Sequence, residues 1–318
     1  MSKEKYTISV VLACFRGEKY LAQQLESILQ QSMKPDEILL CDDSPDDLSC
    51  RIAREFPGVR ILKNDPPLGV AANFARGIAE AQGDLIFLAD QDDVWLPEKI
   101  QHMVQSLGDH AGVFCNSSLT DEELIPLGVD HWSMRGFPAG ELAELRQGPS
   151  PVRMQELFCR RVLPAGHDMM FRASCREKIL PMPELAACHD SWIGIAVAYC
   201  GSWAVCDEEL TLFRQHRNNL SGMGRRSPWQ EARQSIKDNT FRWSAALYQE
   251  AYNRFGDEKL FRRAEHAAVR AGMNIPLWKT IYIANKGIKN SKKDCNVYCI
   301  EHSEKMFWNT LNTPIVKP

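Results

Sequence analysis

Four short apolar runs limit what this chain can fold into. Residues 7–14, 37–41, 59–62 and 84–89 are largely aliphatic or β-branched and only four to eight residues long, as strands buried on both faces are. Between the first two, Tyr20, Leu21, Leu25, Ile28 and Leu29 recur at the spacing of one helix face. Residues 48–55 and 71–81 supply two further helical segments. Strand alternating with helix at this interval predicts parallel pairing through right-handed crossovers, hence an α/β sheet flanked by helices.

Two of these runs end in acid. Residues 84–89 lead into Asp90-Gln91-Asp92-Asp93, and residues 37–41 into Asp42-Asp43. Ligands of open α/β sheets bind outside the carboxyl ends of strands, so both sets of carboxylates fall where a site is expected. Three acidic side chains within four residues repel one another unless a cation or several donors offset the charge. A hard divalent ion carrying substrate phosphates meets that need, and a solvated acidic turn is the plain alternative. For Asp43 or Asp47 the alternative is a cap on the helix at 48–55.

The 318 residues carry a formal net charge of −3, unevenly spread. Residues 1–224 hold 21 Lys and Arg against 32 Asp and Glu, whereas residues 225–318 hold 17 against 9. The acidic body argues against a nucleic-acid partner. The longest apolar stretch, 192–205, is broken by Gly194, Gly201 and Ser202, and no signal-like run opens the chain. A cytoplasmic protein without a spanning helix is therefore expected. Eleven cysteines without a C-x-x-C pair, with Cys14, Cys41 and Cys115 inside apolar runs, read as reduced buried thiols rather than disulfides or a zinc site.

Taken in order, Ser9-Val10-Val11-Leu12-Ala13, Asp42-Asp43, Asn64, Gly69, Asn73, Gly77, Gly83-Asp84 and Asp90-Gln91-Asp92-Asp93-Val94-Trp95 resemble the catalytic domain of glycosyltransferase family 2, which has the GT-A fold. Pro164-Ala165-Gly166-His167, His189-Asp190-Ser191-Trp192 and Phe213-Arg214-Gln215-His216-Arg217-Asn218-Asn219 resemble the acceptor-side and closing segments of bacterial rhamnosyltransferase-like members. The resemblance runs over residues 6–222, and several motifs in one order are more specific than any alone. Two departures bear on donor identity. Ala13-Cys14-Phe15-Arg16 stands where members usually carry Thr-Tyr-Asn, and Pro45 replaces the Ser of the D-D-x-S loop.

The resemblance implies a mostly parallel sheet in residues 1–224, with a nucleotide-sugar half at 1–115 and an acceptor half at 116–224. It implies an inverting transferase that moves rhamnose or a hexose from a UDP- or dTDP-linked donor to a glycan or lipid-linked glycan in surface polysaccharide synthesis. Asp92 would be the principal ligand of a Mg²⁺ or Mn²⁺ cofactor, with His216 completing the shell, and Asp90 would hold the ribose or a metal-bound water. Asp93 would support the loop or meet donor hydroxyls, while Asp42 and Asp43 would face the nucleobase and ribose. Ala13, Phe15, Asn73 and Gln91 complete the donor side. Gly166, His167, Asp168, His189 and Arg214 fall on the acceptor and donor-sugar side. Trp95 and Trp192 stack on sugars or belong to the core.

Transfer also needs a base for the acceptor hydroxyl. Asp190 follows His189 and opens the apolar helix at 191–199, where partial burial is expected to raise its pKa; a helix N-cap is the simpler role. Two other functions fit parts of the pattern. A sugar-1-phosphate nucleotidyltransferase needs a Gly-rich basic loop after the first strand, and Cys14-Phe15-Arg16-Gly17-Glu18 has one Gly and one Arg. A degenerate domain that binds nucleotide or glycan without catalysis is the non-enzymatic reading. Past the hinge-like Ser221-Gly222-Met223-Gly224, residues 229–255 and 258–271 read as helices with interspersed Arg and Lys, followed by short elements near Pro276, Gly287 and Lys293 and a disordered end at 313–318. This basic region suits peripheral contact with the inner face of the plasma membrane, packing on the body, or self-association.

Overall fold

A computed structural model describes residues 6–135, 139–160, 164–183, 189–216, 219 and 240–270. The chain divides into two compact units, 1–225 and 226–318. In the first, the elements are β1 (Ile8–Cys14), α1 (Leu21–Leu29), β2 (Glu37–Asp42), α2 (Leu48–Ala53), β3 (Val59–Lys63), α3 (Val70–Glu80), β4 (Leu85–Asp90), β5 (Val94–Trp95), α4 (Lys99–Ser106), β6 (Gly112–Thr120), β7 (Pro126–Asp130), α5 (His131–Met134), α6 (Ala139–Arg146), α7 (Pro151–Arg160), β8 (Met169–Arg172), α8 (Arg176–Ile179), α9 (His189–Ala198) and β9 (Trp203–Arg214). They build one sheet in the order β3-β2-β1-β4-β8-β6-β9-β5, with β7 paired to β6.

The expected strands appear with their ends shifted by about one residue; the runs in β1, β2 and β4 are buried on both faces, whereas β3, at the sheet edge, is half-buried throughout. In β1, Ile8, Val10, Val11, Leu12 and Cys14 are buried, and each large aliphatic among them contributes about 1.5–3 kcal/mol by leaving water. β1 pairs in parallel with β2 and β4, and β2 with β3. Asp84 fixes the start of β4 against β1 by accepting hydrogen bonds from Thr7 N at 2.9 Å and Thr7 Oγ1 at 2.7 Å. The chain steps outward from β1 to β2 and β3, then returns to the other side of β1 as β4. The direction of winding thus reverses between β1 and β4, where Ala13 stands in register with Asp90.

Beyond β4 the sheet is mixed. β8 is antiparallel to both β4 and β6, β9 is parallel to β6, and β5 adds antiparallel to β9. This arrangement puts the ends of β6, β8 and β9 beside the carboxyl end of β4. Cys14, Cys41, Cys50, Cys115, Cys175, Cys200 and Cys206 are free and, apart from Cys200, buried. Burial pushes the Cys14 and Cys41 thiols up to about 12.

In the second unit, α10 (Thr240–Phe255) and α11 (Glu258–Arg270) bury Ala245, Ala251, Leu260 and Ala264, with Tyr252 and Phe261 rings 5.3 Å apart. Gly256, at φ +73°, makes the sharp turn between them. The helix expected at 229–255 is described only from Thr240, and the hinge at 221–224 and everything after residue 270 lie outside the described residues. No described helix is long and apolar enough to cross a membrane.

Candidate active site

At the point of reversal the loop after β1 is tied to the loop after β4 by one side chain. Gln91 accepts from Phe15 N at 2.7 Å through Oε1 and donates to Phe15 O at 3.0 Å through Nε2, pairing as a backbone amide would. Gly17 is needed for this tie, since a Cβ there would lie 2.6 Å from Gln91 Oε1 and 2.7 Å from Cys14 Sγ. Phe15 is left 51% exposed, and Ala13 at the end of β1 stands in register with Asp90.

The pair at the end of β2 is enclosed by donors. Asp42 accepts from Ser44 N at 3.0 Å, Ser44 Oγ at 2.5 Å, Cys50 Sγ at 3.0 Å and Lys63 Nζ at 2.8 Å. Burial pushes its pKa up, but these bonds outweigh burial and leave it below the usual range. Asp43 accepts from Asn64 Nδ2 at 3.0 Å, Leu68 N at 2.6 Å and Gly69 N at 2.8 Å, which holds the loop that leads into α3. The expectation that they face the nucleobase and ribose does not match these surroundings: Asp42 has no exposed surface, and Asp43 is 5% exposed. Asn73 is likewise an internal tie, donating to Cys41 O at 2.7 Å and accepting from Asn64 Nδ2 at 2.7 Å. Asp47 does not cap α2 with its side chain; it pairs with Arg54 at 2.8 Å.

The run after β4 is poor in donors. Asp92 Oδ2 meets His216 Nε2 at 2.8 Å, and Asp93 Oδ1 accepts from Arg214 N at 3.1 Å. Asp93 Oδ2 is buried with no hydrogen-bond partner among the described residues. Burial, with the charge of Asp90 next to it, raises the pKa of Asp92, and burial raises that of Asp93 well above the ordinary value. Beside Asp90 and Asp93 the compensating group is His167, whose Nδ1 lies 3.5 Å from Asp90 Oδ2 and 3.7 Å from Asp93 Oδ2. Burial works against charging this ring, but the carboxylates of Asp168, Asp93 and Asp90 more than reverse that and lift its pKa well above normal.

His167 and Asp168 were expected to contact an acceptor, yet they are 3% and 0% exposed. Asp168 accepts from Ser117 Oγ at 2.8 Å and Thr211 Oγ1 at 3.0 Å, so it braces the His167 turn against β6 and β9. Lys99, not singled out in the sequence, is fully buried on α4. It donates to His167 O and Thr211 Oγ1, both at 2.6 Å, 4.0 Å from Asp168 Oδ1. His131 was also missed. Its ring lies 5.9 Å from that of His167, and burial lowers its pKa to about 3.

The start of α9 reaches this cluster through Gly166. A Cβ on Gly166 would sit 2.4 Å from His189 Nε2, so only glycine admits the imidazole, which stacks on Phe74 at 4.1 Å. His189 and Asp190 are half-buried, and Asp190 Oδ1 accepts from Ser191 N at 2.6 Å. Both tryptophans belong to the core rather than to a sugar platform. Trp95 is 2% exposed beside Phe87, and Trp192 is fully buried with Nε1 donating to Ile179 O at 2.7 Å. Arg214, expected at the sugar or diphosphate, is 3% exposed and bonded within the protein.

The sequence model of Glycosyl transferase family 2 matches residues 9–175, more than half of the chain and inclusive of both acidic strand ends. The chain belongs to glycosyl transferase family 2. Among relatives of this family 2 protein, EpsE of Bacillus subtilis is 32% identical over 108 residues, covering 32% of the chain and 39% of EpsE, well under half of that relative's length. The dTDP-rhamnosyl transferase RfbG of Shigella flexneri is 26% identical over 228 residues, covering 66% of the chain and 73% of RfbG. Two solved structures share the fold at 14% identity. S. aureus TarS 1–349 in complex with UDP-GlcNAc has a TM-score of 0.60 and covers 83% of this chain and 72% of that one. Mannosyltransferase PcManGT from Pyrobaculum calidifontis, in complex with GDP-Man and Mn²⁺, has a TM-score of 0.56 and covers 97% and 86%. The fold is GT-A.

A divalent metal is common among GT-A enzymes, and the side chains of this family 2 protein fit one. Carboxylate oxygens outnumber donors after β4, and one buried oxygen of Asp93 is unmatched among the described residues. Two sets of ligand atoms lie there: Asp92 with His216, and Asp90, Asp93 and His167 within 4.8 Å of one another. In the second set His167 already supplies positive charge and Asp93 has no exposed surface. Asp92 and Asp90 keep 15% and 36% side-chain exposure.

Proposed function

We propose that this chain is an inverting, divalent-metal-dependent glycosyltransferase. It moves a sugar from a nucleoside-diphosphate donor to a glycan or lipid-linked glycan acceptor. The observation that carries the proposal is the donor-poor carboxylate run at the β1/β4 reversal, facing His216 in a family 2 chain. Asp92 and His216 would hold Mg²⁺ or Mn²⁺, with Asp90 beside them. The bound ion would act as a Lewis acid toward the diphosphate as its negative charge grows.

Phe15, exposed and fixed by Gln91, offers an aromatic face to the nucleobase. Asp190 would take the proton from the acceptor hydroxyl as it attacks the face opposite the leaving group, giving inversion without a covalent intermediate. His189, stacked on Phe74 and fitted against Gly166, sets where α9 presents Asp190. RfbG makes dTDP-rhamnose the first donor to test, with UDP-hexoses next. The basic composition of residues 225–318 favours an anionic lipid surface close to a lipid-linked acceptor.

The test is transfer from dTDP-rhamnose and UDP-hexoses to lipid-linked saccharides with and without Mn²⁺, with the anomeric configuration of the product read by NMR. Metal-dependent transfer with inversion supports the proposal. Retention, or release of pyrophosphate from a nucleoside triphosphate and a sugar phosphate, contradicts it.

A further inference from the structure

Asp92 and His216 lie far apart in the chain, and their contact depends on what holds each of them. One side chain reaches both. Arg214 is 3% exposed, and its Nε donates to Asp92 O at 2.8 Å while its backbone N donates to Asp93 Oδ1 at 3.1 Å. Nη2 donates to Gln23 Oε1 at 2.5 Å, and Nη1 to Glu122 O. One guanidinium therefore joins the loop after β4, α1 and the turn between β6 and β7.

The same group fixes His216 through Tyr20. The guanidinium carbon lies 4.5 Å from the Tyr20 ring centroid, and the His216 imidazole stacks on Tyr20 with centroids 5.0 Å apart and planes 29° apart. Tyr20 is itself anchored by its hydroxyl, which donates to Glu122 Oε1 at 2.7 Å. On the chain side, Arg214 O accepts from Asn219 Nδ2 at 2.8 Å, and Asn219 Oδ1 accepts from His216 N at 2.7 Å. Arg214 thus sets the main chain of Asp92, and Tyr20 sets the plane of His216.

We infer that Arg214 and Tyr20 are positioning residues that fix the separation and ring orientation of Asp92 and His216, and so set the metal affinity of the site. The inference rests on the metal assignment under Proposed function and deepens it. Both act on the site through Asp92 and His216: the hydrogen bonds of Arg214 and of the Tyr20 hydroxyl are made within the protein. A flexible lysine cannot reproduce the planar fork that reaches Asp92, Gln23 and Glu122 together. Groups that orient metal ligands without touching the metal typically change affinity about 10–100-fold when removed.

The experiment titrates the full chain with Mn²⁺ alone and follows the free ion by EPR, with metal-free melting curves recorded for every variant. Arg214→Gln should weaken Mn²⁺ binding about 10–100-fold. Tyr20→Leu, which removes the ring under His216, should weaken it as well, and Tyr20→Phe, which keeps the ring, should restore most of the affinity. Arg214→Lys should fall between wild type and Arg214→Gln. A folded Arg214→Gln protein that binds Mn²⁺ like wild type overturns the inference. If that variant does not fold, wild-type affinity in both Arg214→Lys and Tyr20→Leu overturns it. Asp92→Ala separates the two layers. Wild-type affinity in Asp92→Ala overturns the metal assignment and the inference with it, whereas lost binding there with unchanged binding in Arg214→Gln overturns the inference alone.

Discussion

The ends of β2 and β4 look alike in sequence and differ in what surrounds them. Asp42 and Asp43 together accept seven hydrogen bonds from Ser44, Cys50, Lys63, Asn64, Leu68 and Gly69. Asp92 and Asp93 have His216 and one backbone N–H, and a buried oxygen of Asp93 has no hydrogen-bond partner among the described residues. The pKa values part accordingly: Asp42 is held below the usual range against its burial, while Asp92 and Asp93 are raised by theirs. The supply of donors, more than the number of carboxylates, therefore separates the two strand ends. The β2 pair holds the loops around it, and the β4 run keeps electrostatic demand for a ligand.

The largest expected effect separates these roles outright. Asp92→Ala should lower metal-dependent transfer by roughly 10³-fold or more, the scale of losing the main electrostatic support for a leaving group, with little change in melting temperature. Asp42→Ala should behave in the opposite way, leaving Mn²⁺ binding by the folded protein intact. An equal loss of Mn²⁺ binding in both variants would erase the distinction between the two strand ends. Asp190→Asn should slow transfer about 10²–10⁴-fold while Mn²⁺ affinity, read by EPR, stays at the wild-type level.

The stability effects are smaller and of opposite sign. Asp42→Ala leaves the Ser44 N–H and hydroxyl without their acceptor and takes the carboxylate from Lys63, whose Nζ keeps Ser44 O and Asp46 O, at a cost of about 1–3 kcal/mol at neutral pH, visible as a lower melting temperature. Because the folded pKa of Asp42 is depressed, its contribution is present above the unfolded carboxyl value of about 3.9 and fades as pH falls through the folded value, so the gap to wild type closes in acid. Asp93 has a raised folded pKa, so its contribution is complete below about 3.9 and is lost as pH rises through the folded value. Metal-free Asp93→Asn should therefore melt higher than wild type at pH 8, by roughly 2–4 °C if the gain is near 1 kcal/mol, and the difference should shrink toward pH 5. A lower melting temperature at pH 8 would show that Asp93 is as well satisfied as Asp42.

The same contrast explains what the sequence revealed. Residues 7–89 announce their strands because each is a local run of Val, Ile and Leu, and the acidic ends follow directly from where those runs stop. Gln91 stands inside the acidic run, but its pairing with Phe15 depends on a contact across 76 positions. Lys99 sits in an amphipathic helix beside Glu98 and Gln101 and looks solvated, yet its amine meets His167 and Thr211, which are 68 and 112 positions away. Arg214 looks like a ligand-binding arginine, but its donors are taken by Asp92, Gln23 and Glu122. Trp95 and Trp192 take the core alternative that their size allowed. Apolar periodicity shows what is buried; the pairing of buried charges is set by distant segments and leaves no local pattern. Gly166 left a faint signal, a glycine beside a histidine in a Pro-Ala-Gly-His turn, explained once His189 lies against it.

Anomalous diffraction at the manganese edge, from crystals grown with UDP and Mn²⁺, tests the central claim most directly. A single strong peak is expected at bonding distance from an Asp92 carboxylate oxygen and from His216 Nε2, with none at Asp42 or Asp43. A peak held by Asp90, Asp93 and His167 with Asp92 and His216 still paired, or no peak after β4 while UDP is bound, would contradict it.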